Sequence, residues 1–500
     1  MADTDLILAV DIGTGATKAV LFDSDLRQIA ILKKHYPILT PSFGWSEQEP
    51  EVIYCAVAEA IREIQAVCPQ GRSIRAISFS SQLYSVLAVD LDGVPLTNSL
   101  PWSDTRSATE VEKLRKDERA RNAIQQTGCP LDAVYPLAKI KWMKEHLNLP
   151  ESARFVSIKE YVLYRLTGRF LADWSVASAT GLFDIHTRAW DPVALELAGI
   201  SEHNLSPLVS SNLVLDTWSN LARELCGLRG EMPLVIGGGD GPLASLGVGA
   251  TTSDELAVNV GTSAAARAVI RQPNIDPEGR LWTYLITEGL WVTGGMVSSG
   301  GIVFEWFLDN FFPEADAMGK EAVSDALYHH ADLLASQASP GADGLIFVPY
   351  LSGAQSPDWS SNTRGCFIGL DLKHRRSHFA RAVLEGITRS IYRVAKAIES
   401  LLEKPFDEVY VTGGLTASPV WLQIAADMFG ATVVVPATSE GSARGAAMLA
   451  MVSIGLKSNL DDFQGLLTPK EKIVPRQAVH AFYEEQYHRF MRTLDLSRKI

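Results

Sequence analysis

Residues 8–20 read LAVDIGTGATKAV, and residues 256–269 read LAVNVGTSAAARAV. Each copy is a short apolar run, then an acid or amide, then Gly-Thr among small residues. In the first copy Asp11, Gly13, Thr14, Gly15 and Lys18 follow Leu8-Ala9-Val10. In the second, Asn259, Gly261, Thr262 and Ser263 follow Leu256-Ala257-Val258. The apolar run predicts a buried strand, and the glycines predict a sharp turn that lets the backbone approach a ligand closely. Backbone N–H groups in such a turn form an anion-binding concavity, and threonine hydroxyls add donors. Asp11 adds a carboxylate that can hold a hydrated divalent cation; Asn259 lacks the charge, so one metal-holding half is expected. A single Asp-x-Gly-Thr reads equally well as an ordinary hairpin turn. Two matched copies, about half the chain apart, point to two domains of one ancestry that each offer a phosphate-gripping turn.

The chain has 500 residues, enough for two or three domains with large cores. It is 47% hydrophobic and 21% charged, an ordinary globular composition. Its net charge of −13 argues against nucleic acid as the main partner. The start, Met1 to Asp5, has two acids and no basic region, so no signal peptide is expected. No apolar run is long enough for a membrane span. Five scattered cysteines without a Cys-x-x-Cys pair fit reduced thiols and a cytoplasmic location rather than a zinc site or disulfides.

Strand-like runs alternate with helical spacing. Strands are expected at Ile7–Val10, Ala19–Asp23, Ile29–Tyr36, Ile74–Phe79 and Val86–Asp90, with a turn at Gly44–Pro50. Val52, Ile53, Val57, Ala60, Ile61 and Ile64 predict a helix over Glu51–Val67. The order recurs after residue 256, which indicates a mixed α/β fold. The expected partition is an N-terminal domain 1–250, a C-terminal domain 251–458 and a helical tail 459–500, its helix near Val479–Leu494 on the surface.

Asp240 is the catalytic candidate. It ends the apolar run Val235-Ile236-Gly237-Gly238-Gly239, where a carboxylate can take the proton of an attacking hydroxyl. The competing role is a cap for a helix beginning at Pro242 or Leu243. Trp102, Asp104 and Arg106 alternate a ring, an acid and a guanidinium, which suits a polyhydroxylated ligand. They also fit a strand-to-helix junction with Asp104 as cap and a surface ion pair. Gln82, Leu83 and Tyr84 follow a strand and face the same pocket, unless Tyr84 is a half-buried core ring. Gly413 and Gly414 follow the strand Glu408–Val411, where a nucleobase or ribose can lie against the backbone, with Ser418 nearby. The run Glu440–Ala447 favours close helix packing over ligand contact. No GxxxxGK[ST] is present, and no GxGxxG follows the first strand, which disfavours a P-loop ATPase and a Rossmann dehydrogenase.

Together the segments VDIGTGATKAVLFD, WSDTR, GGGDG, NVGTS, PYLSGAQSPDW (Pro349–Trp359) and VTGGLTASPVW resemble the FGGY carbohydrate kinases over about Leu8 to Ala450. The resemblance implies two RNase H-like domains of the actin and sugar-kinase ATPase fold, flanking a deep cleft. It implies ATP with Mg2+ as cofactor and a small sugar or sugar acid as partner, with a homodimer as a common assembly. By the same resemblance Asp11 holds the metal through water, and Thr14 and Lys18 lie near the phosphates beside Gly13. Gly261, Thr262 and Ser263 form the second phosphate turn, and Gly413, Gly414 and Ser418 line the adenosine site. Asp240 is the general base, and Gln82, Leu83, Tyr84, Trp102, Asp104 and Arg106 surround the sugar. The segments Phe155–Tyr161 and Ser175–Asp191 look like the gluconate kinase branch; the Gly237–Asp240 loop looks like the xylulose kinase branch. Leu83-Tyr84-Ser85 departs from the Met-His that both branches usually carry, replacing an imidazole by a larger phenol. Phosphorylation of a terminal primary hydroxyl is expected, with D-xylulose placed first and D-gluconate as the alternative. A conformational ATPase of the actin or heat-shock kind is the reading from another class, since fold alone does not choose between them.

Overall fold

The computed structural model describes residues 5–312, 323–360 and 362–497. They form two compact units. The first holds the chain up to Gly249, Ile270–Val292 and Glu440–Leu467; the second holds Ala250–Val269, Thr293–Ser439 and the chain from Thr468 on.

In the first unit six strands make one sheet, in the order Val214–Leu215, Leu234–Gly239, Ser73–Ser81, Asp5–Ile12, Ala16–Asp23, Gln28–His35. Asp5–Ile12 lies inside it because both of its faces are apolar, and Leu6 to Val10 are all buried. The Gly13–Gly15 turn folds Ala16–Asp23 back antiparallel on one side, while Ser73–Ser81 runs parallel on the other. Leu234–Gly239 runs parallel beyond that. Three parallel strands therefore end on one edge, at Ile12, Ser81 and Gly239. Carboxyl ends of parallel strands are where α/β sheets receive ligands.

The helix expected over Glu51–Val67 spans Pro50–Ala66, starting on a proline whose missing N–H suits a first turn. Ile53, Val57, Ala60, Ile61 and Ile64 are buried as read, but Val52 is exposed. The strand expected at Val86–Asp90 shrinks to Leu87–Val89 and lies outside the main sheet. It pairs with Arg154–Val156, because the chain returning through Pro95–Leu100 satisfies its neighbours.

The helix Asp240–Val248 packs against the helix Gly441–Ser453 so closely that only glycines fit. A Cβ on Gly247 would lie 1.9 Å from the Gly441 carbonyl oxygen, and one on Gly445 would lie 2.0 Å from that of Leu243. The run Glu440–Ala447 thus has the packing role that its small residues predict. This contact also explains why residues 440–467 group with the first unit, so the contact units cross the linear partition at 250 and 458.

In the second unit Glu255–Val260 pairs antiparallel with Ala264–Ile270 and parallel with Glu408–Gly413. Thr432–Pro436 and Pro469–Ile473 extend the sheet. The terminal helix, Gln477–Ser497, is longer than expected and not merely superficial. It buries Tyr483, Phe490 and Leu494, and the Tyr483 hydroxyl donates to Glu385 Oε1 at 2.7 Å. Among the described residues, no helix is long and apolar enough to cross a membrane.

Candidate functional site

The three parallel strand ends of the first unit carry Asp11, Gln82 and Asp240. Asp11 sits one residue before the end of its strand, opposite Lys18 in the hairpin register and Ser80 in the parallel one. It is buried, and its Oδ1 meets no hydrogen-bond donor among the described residues. Burial raises its pKa above the ordinary aspartate value, against the Ser80 hydroxyl and the charge of Lys18. A buried carboxylate oxygen without a donor fits a cation, so the residues present suit a hydrated Mg2+. Asn259, at the matching place in the second unit, is exposed and donates to Thr412 Oγ1 at 2.9 Å. It offers no such carboxylate.

Asp240 opens its helix rather than capping one two or three residues later; Gly239 is the capping residue. Its Oδ1 accepts from the Gly241 N–H at 2.7 Å, and its own carbonyl accepts from Ser442 Oγ at 3.2 Å. The first turn of a helix favours a negative charge. The glycines before it are geometric necessities. Gly237 has φ +72°, and a Cβ there would lie 1.8 Å from the Phe79 carbonyl oxygen; one on Gly239 would lie 2.3 Å from Leu83 Cδ2. Leu83 therefore packs beside the Asp240 turn as a buried wall.

The phosphate turn and the Trp102 segment are bonded to each other. Trp102 Nε1 donates to Thr14 Oγ1 at 3.0 Å, and Gln48 Nε2 donates to the Thr14 carbonyl at 2.6 Å. Gln82 Nε2 donates to Gln48 Oε1 at 2.8 Å. That leaves Gln82 Oε1 buried with no donor among the described residues. It is an acceptor at these strand ends suited to a ligand hydroxyl. Gln48 was not singled out from sequence; the turn Gly44–Pro50 hid it, although its place before a helix-starting proline was visible. Lys18 is not presented to phosphate alone, because its Nζ pairs with Glu440 Oε2 at 2.7 Å.

Asp104 and Arg106 differ from the reading as a helix cap and surface ion pair. They form no surface pair, and the helix beyond begins at Ala108 with Ser107 as cap. Asp104 is fully buried and accepts from the Ser46 N–H at 2.7 Å and from Arg106 Nε. Arg106 also donates to Glu47 Oε1 at 2.8 Å, and its guanidinium lies 3.9 Å from the Trp45 ring centre and 5.1 Å from that of Trp142. These groups frame the segment that carries Trp102. Tyr84 is buried, with φ +66°. Its hydroxyl lies 3.1 Å from that of Tyr284, which lies 2.8 Å from that of Tyr135. The phenol that replaces the expected imidazole thus joins a buried tyrosine chain.

The second unit contains a cavity of about 690 Å³, lined by Gly261, Thr262, Gly301, Phe304, Tyr328, His329, Asp332, Gly414, Ser418 and Trp421 among others. Its size suits a nucleotide-like ligand. Four sequence candidates meet here: Gly261, Thr262, Gly414 and Ser418. Ser263 and Gly413 are not in its lining. Gly413 instead has a backbone role: φ is +84°, and a Cβ would lie 2.2 Å from the Val260 carbonyl oxygen. Ser418 caps the helix Pro419–Phe429, accepting from Trp421 N–H at 2.9 Å, and donates to Asp332. Sequence reading missed Phe304, Tyr328, His329 and Asp332, which lie on helices without a local signature.

The N-terminal-domain model of the FGGY family of carbohydrate kinases matches residues 6–247, and its C-terminal-domain model matches residues 256–454. A gluconokinase of Bacillus licheniformis is 35% identical over 99% of this chain and 96% of its own. A xylulose kinase of Bacillus subtilis (strain 168) is 29% identical over 91% of this chain and 90% of its own. The crystal structure of a gluconate kinase from Lactobacillus acidophilus superposes with a TM-score of 0.92 at 29% identity, covering 99% of this chain and 98% of that one.

Proposed function

Because the chain belongs to the FGGY family of carbohydrate kinases, we propose that it transfers the γ-phosphate of ATP to the terminal primary hydroxyl of D-gluconate. The chain is an ATP-dependent sugar phosphotransferase with the two-domain α/β fold of that family. The conformational ATPase reading falls, since both carbohydrate-kinase models match in order over nearly the whole chain.

The observation that carries the acceptor choice is the relatedness. The gluconokinase shares 35% of its residues with the chain and the xylulose kinase 29%. This corrects the preference for D-xylulose. That preference rested on the Gly237–Asp240 loop, and the loop's glycines are required by the backbone whatever the acceptor: Gly237 clears the Phe79 carbonyl and Gly239 clears Leu83.

In this reading Asp240 accepts the proton of the attacking hydroxyl. Gln82 Oε1 and Trp102 orient the acceptor, and Leu83 and Tyr84 wall it. Asp11 holds hydrated Mg2+, which when bound neutralises phosphate charge. In the first unit Thr14 offers donors to phosphate beside the Gly13 turn, whose N–H closes the hairpin on the Ala16 carbonyl, and Lys18 adds charge while paired to Glu440. In the second unit Thr262 and Ser263 offer donors beside the Gly261 turn, and the 690 Å³ cavity lined by Gly414 and Ser418, with Gly413 shaping the backbone behind it, receives the adenosine. Free cysteines at all five positions support a reducing, cytoplasmic setting.

ADP release over a panel of D-gluconate, D-xylulose, D-ribulose, L-ribulose, glycerol and erythritol tests the acceptor. D-gluconate is expected to give the highest kcat/KM, by about tenfold or more over the others. A higher value for D-xylulose would reverse the assignment.

A further inference from the structure

Lys139 is fully buried in the helix Pro136–His146. Its Nζ donates to two backbone carbonyls, Tyr84 O at 3.0 Å and Pro101 O at 2.7 Å. One acceptor lies in the stretch that holds Gln82, Leu83 and Tyr84. The other immediately precedes Trp102. The two stretches are otherwise joined at an isolated bridge, Val86 with Leu100, just behind these positions. Lys139 is thus a second fastening, at the end nearer the strand edge.

Three features set this lysine apart from a packing residue. Its stem could be replaced by an apolar chain of equal length, which would avoid desolvating an ammonium. Both acceptors are neutral carbonyls rather than a carboxylate, so ion pairing does not explain its retention. One acceptor belongs to Tyr84, a non-glycine residue in the left-handed region, whose backbone must be held from outside. The charged groups facing Lys139 are Asp104 and Asp132, which attract it, and Arg106, which repels it. The Tyr84 and Tyr135 hydroxyls are engaged with Tyr284.

We propose that Lys139 is a positioning residue that clamps the Gln82–Tyr84 and Trp102–Arg106 segments in the arrangement that receives the acceptor sugar. The inference rests on the reading that these two segments bind that sugar. Burial pushes Lys139 from the usual 10.5 down to about 7, so as pH rises through neutrality the ammonium becomes an amine, which keeps two N–H donors but holds the two carbonyls less strongly. The sign for stability is opposite. The unfolded chain binds the extra proton between about 7 and 10.5, so this group makes the fold more stable as pH rises in that window. Weaker acceptor binding at higher pH therefore cannot come from loss of fold through this lysine.

The test compares full-length wild type, Lys139→Met, Lys139→Arg and Gln82→Ala, with D-gluconate varied at saturating Mg-ATP and the reverse. Circular dichroism and thermal melts establish folding. Lys139→Met is expected to raise the acceptor KM about tenfold or more, with the Mg-ATP KM within about twofold of wild type. Lys139→Arg is expected to restore part of the loss. In wild type the acceptor KM is expected to rise several-fold from pH 6.5 to 9, roughly as the ammonium is lost, and to be flat in Lys139→Met. Folded Lys139→Met with a wild-type acceptor KM and pH profile, beside a raised KM in Gln82→Ala, overturns the clamp and leaves the sugar-segment reading intact. An unchanged KM in both overturns the two together. If Lys139→Met does not fold, Lys139→Gln decides: its shorter chain cannot reach both carbonyls, and a folded Lys139→Gln protein with a wild-type acceptor KM overturns the proposal.

Discussion

Asp240→Asn is expected to lower kcat by roughly 100- to 10,000-fold while the acceptor KM and the thermal midpoint stay near wild type. The apolar strand Leu234–Gly239 ends in glycines that must be glycines, and Asp240 follows at the head of a helix. An asparagine keeps the same shape and still offers Oδ1 to the Gly241 N–H, a bond of 2.7 Å in the wild type. The tight helix pair through Gly247 and Gly445 is untouched. The change removes the carboxylate's ability to accept a proton and little else. Steady-state rates with Mg-ATP and D-gluconate, beside a melting curve, read both halves of the expectation. Near-normal kcat in a folded Asp240→Asn protein would move the general base elsewhere.

Asp11→Asn is expected to have the second largest effect, roughly 100- to 1,000-fold in kcat, from loss of the group placed to hold the metal. Here the stability prediction has the opposite sign to the activity prediction. Burial raises the Asp11 pKa, so the folded state holds its proton more tightly than the unfolded chain does. That contribution to stability is present at acid pH and is lost as pH rises through the folded value. Once that proton is lost the wild type carries a buried charge, and asparagine removes it. The metal-free Asp11→Asn protein is therefore expected to melt no lower than metal-free wild type at pH 7.5, while Mg2+ and ATP together stabilise it less. A large drop in melting temperature without metal would show that Asp11 is structural.

Much of this was legible before the structure. The repeated turn located both hairpins, because apolar runs followed by Gly-Thr have few other conformations. Asp240 stood out as a candidate because glycines at a strand end leave a carboxylate standing, and the structure places it at that strand end. Two kinds of feature were not legible. The first is partnership across long separations. Asp104 and Arg106 are held by Trp45, Glu47, Ser46 and Trp142, and nothing local announces those partners. Lys18 with Glu440, 422 positions apart, is another case. The second is packing that crosses the linear order. The helix Gly441–Ser453 belongs with the helix Asp240–Val248 through glycine contacts, so a boundary drawn along the chain at 250 could not anticipate the contact units. The preference for D-xylulose rested on a glycine loop that sterics dictate whatever the acceptor, whereas the gluconokinase is the more similar of the two relatives.

The most direct measurement is identification of the product. Purified protein incubated with Mg-ATP and D-gluconate, followed by phosphorus NMR and mass spectrometry, is expected to yield one phosphomonoester, D-gluconate 6-phosphate, in equal amount to ADP. ADP accompanied by inorganic phosphate, with the gluconate unchanged, would contradict the account.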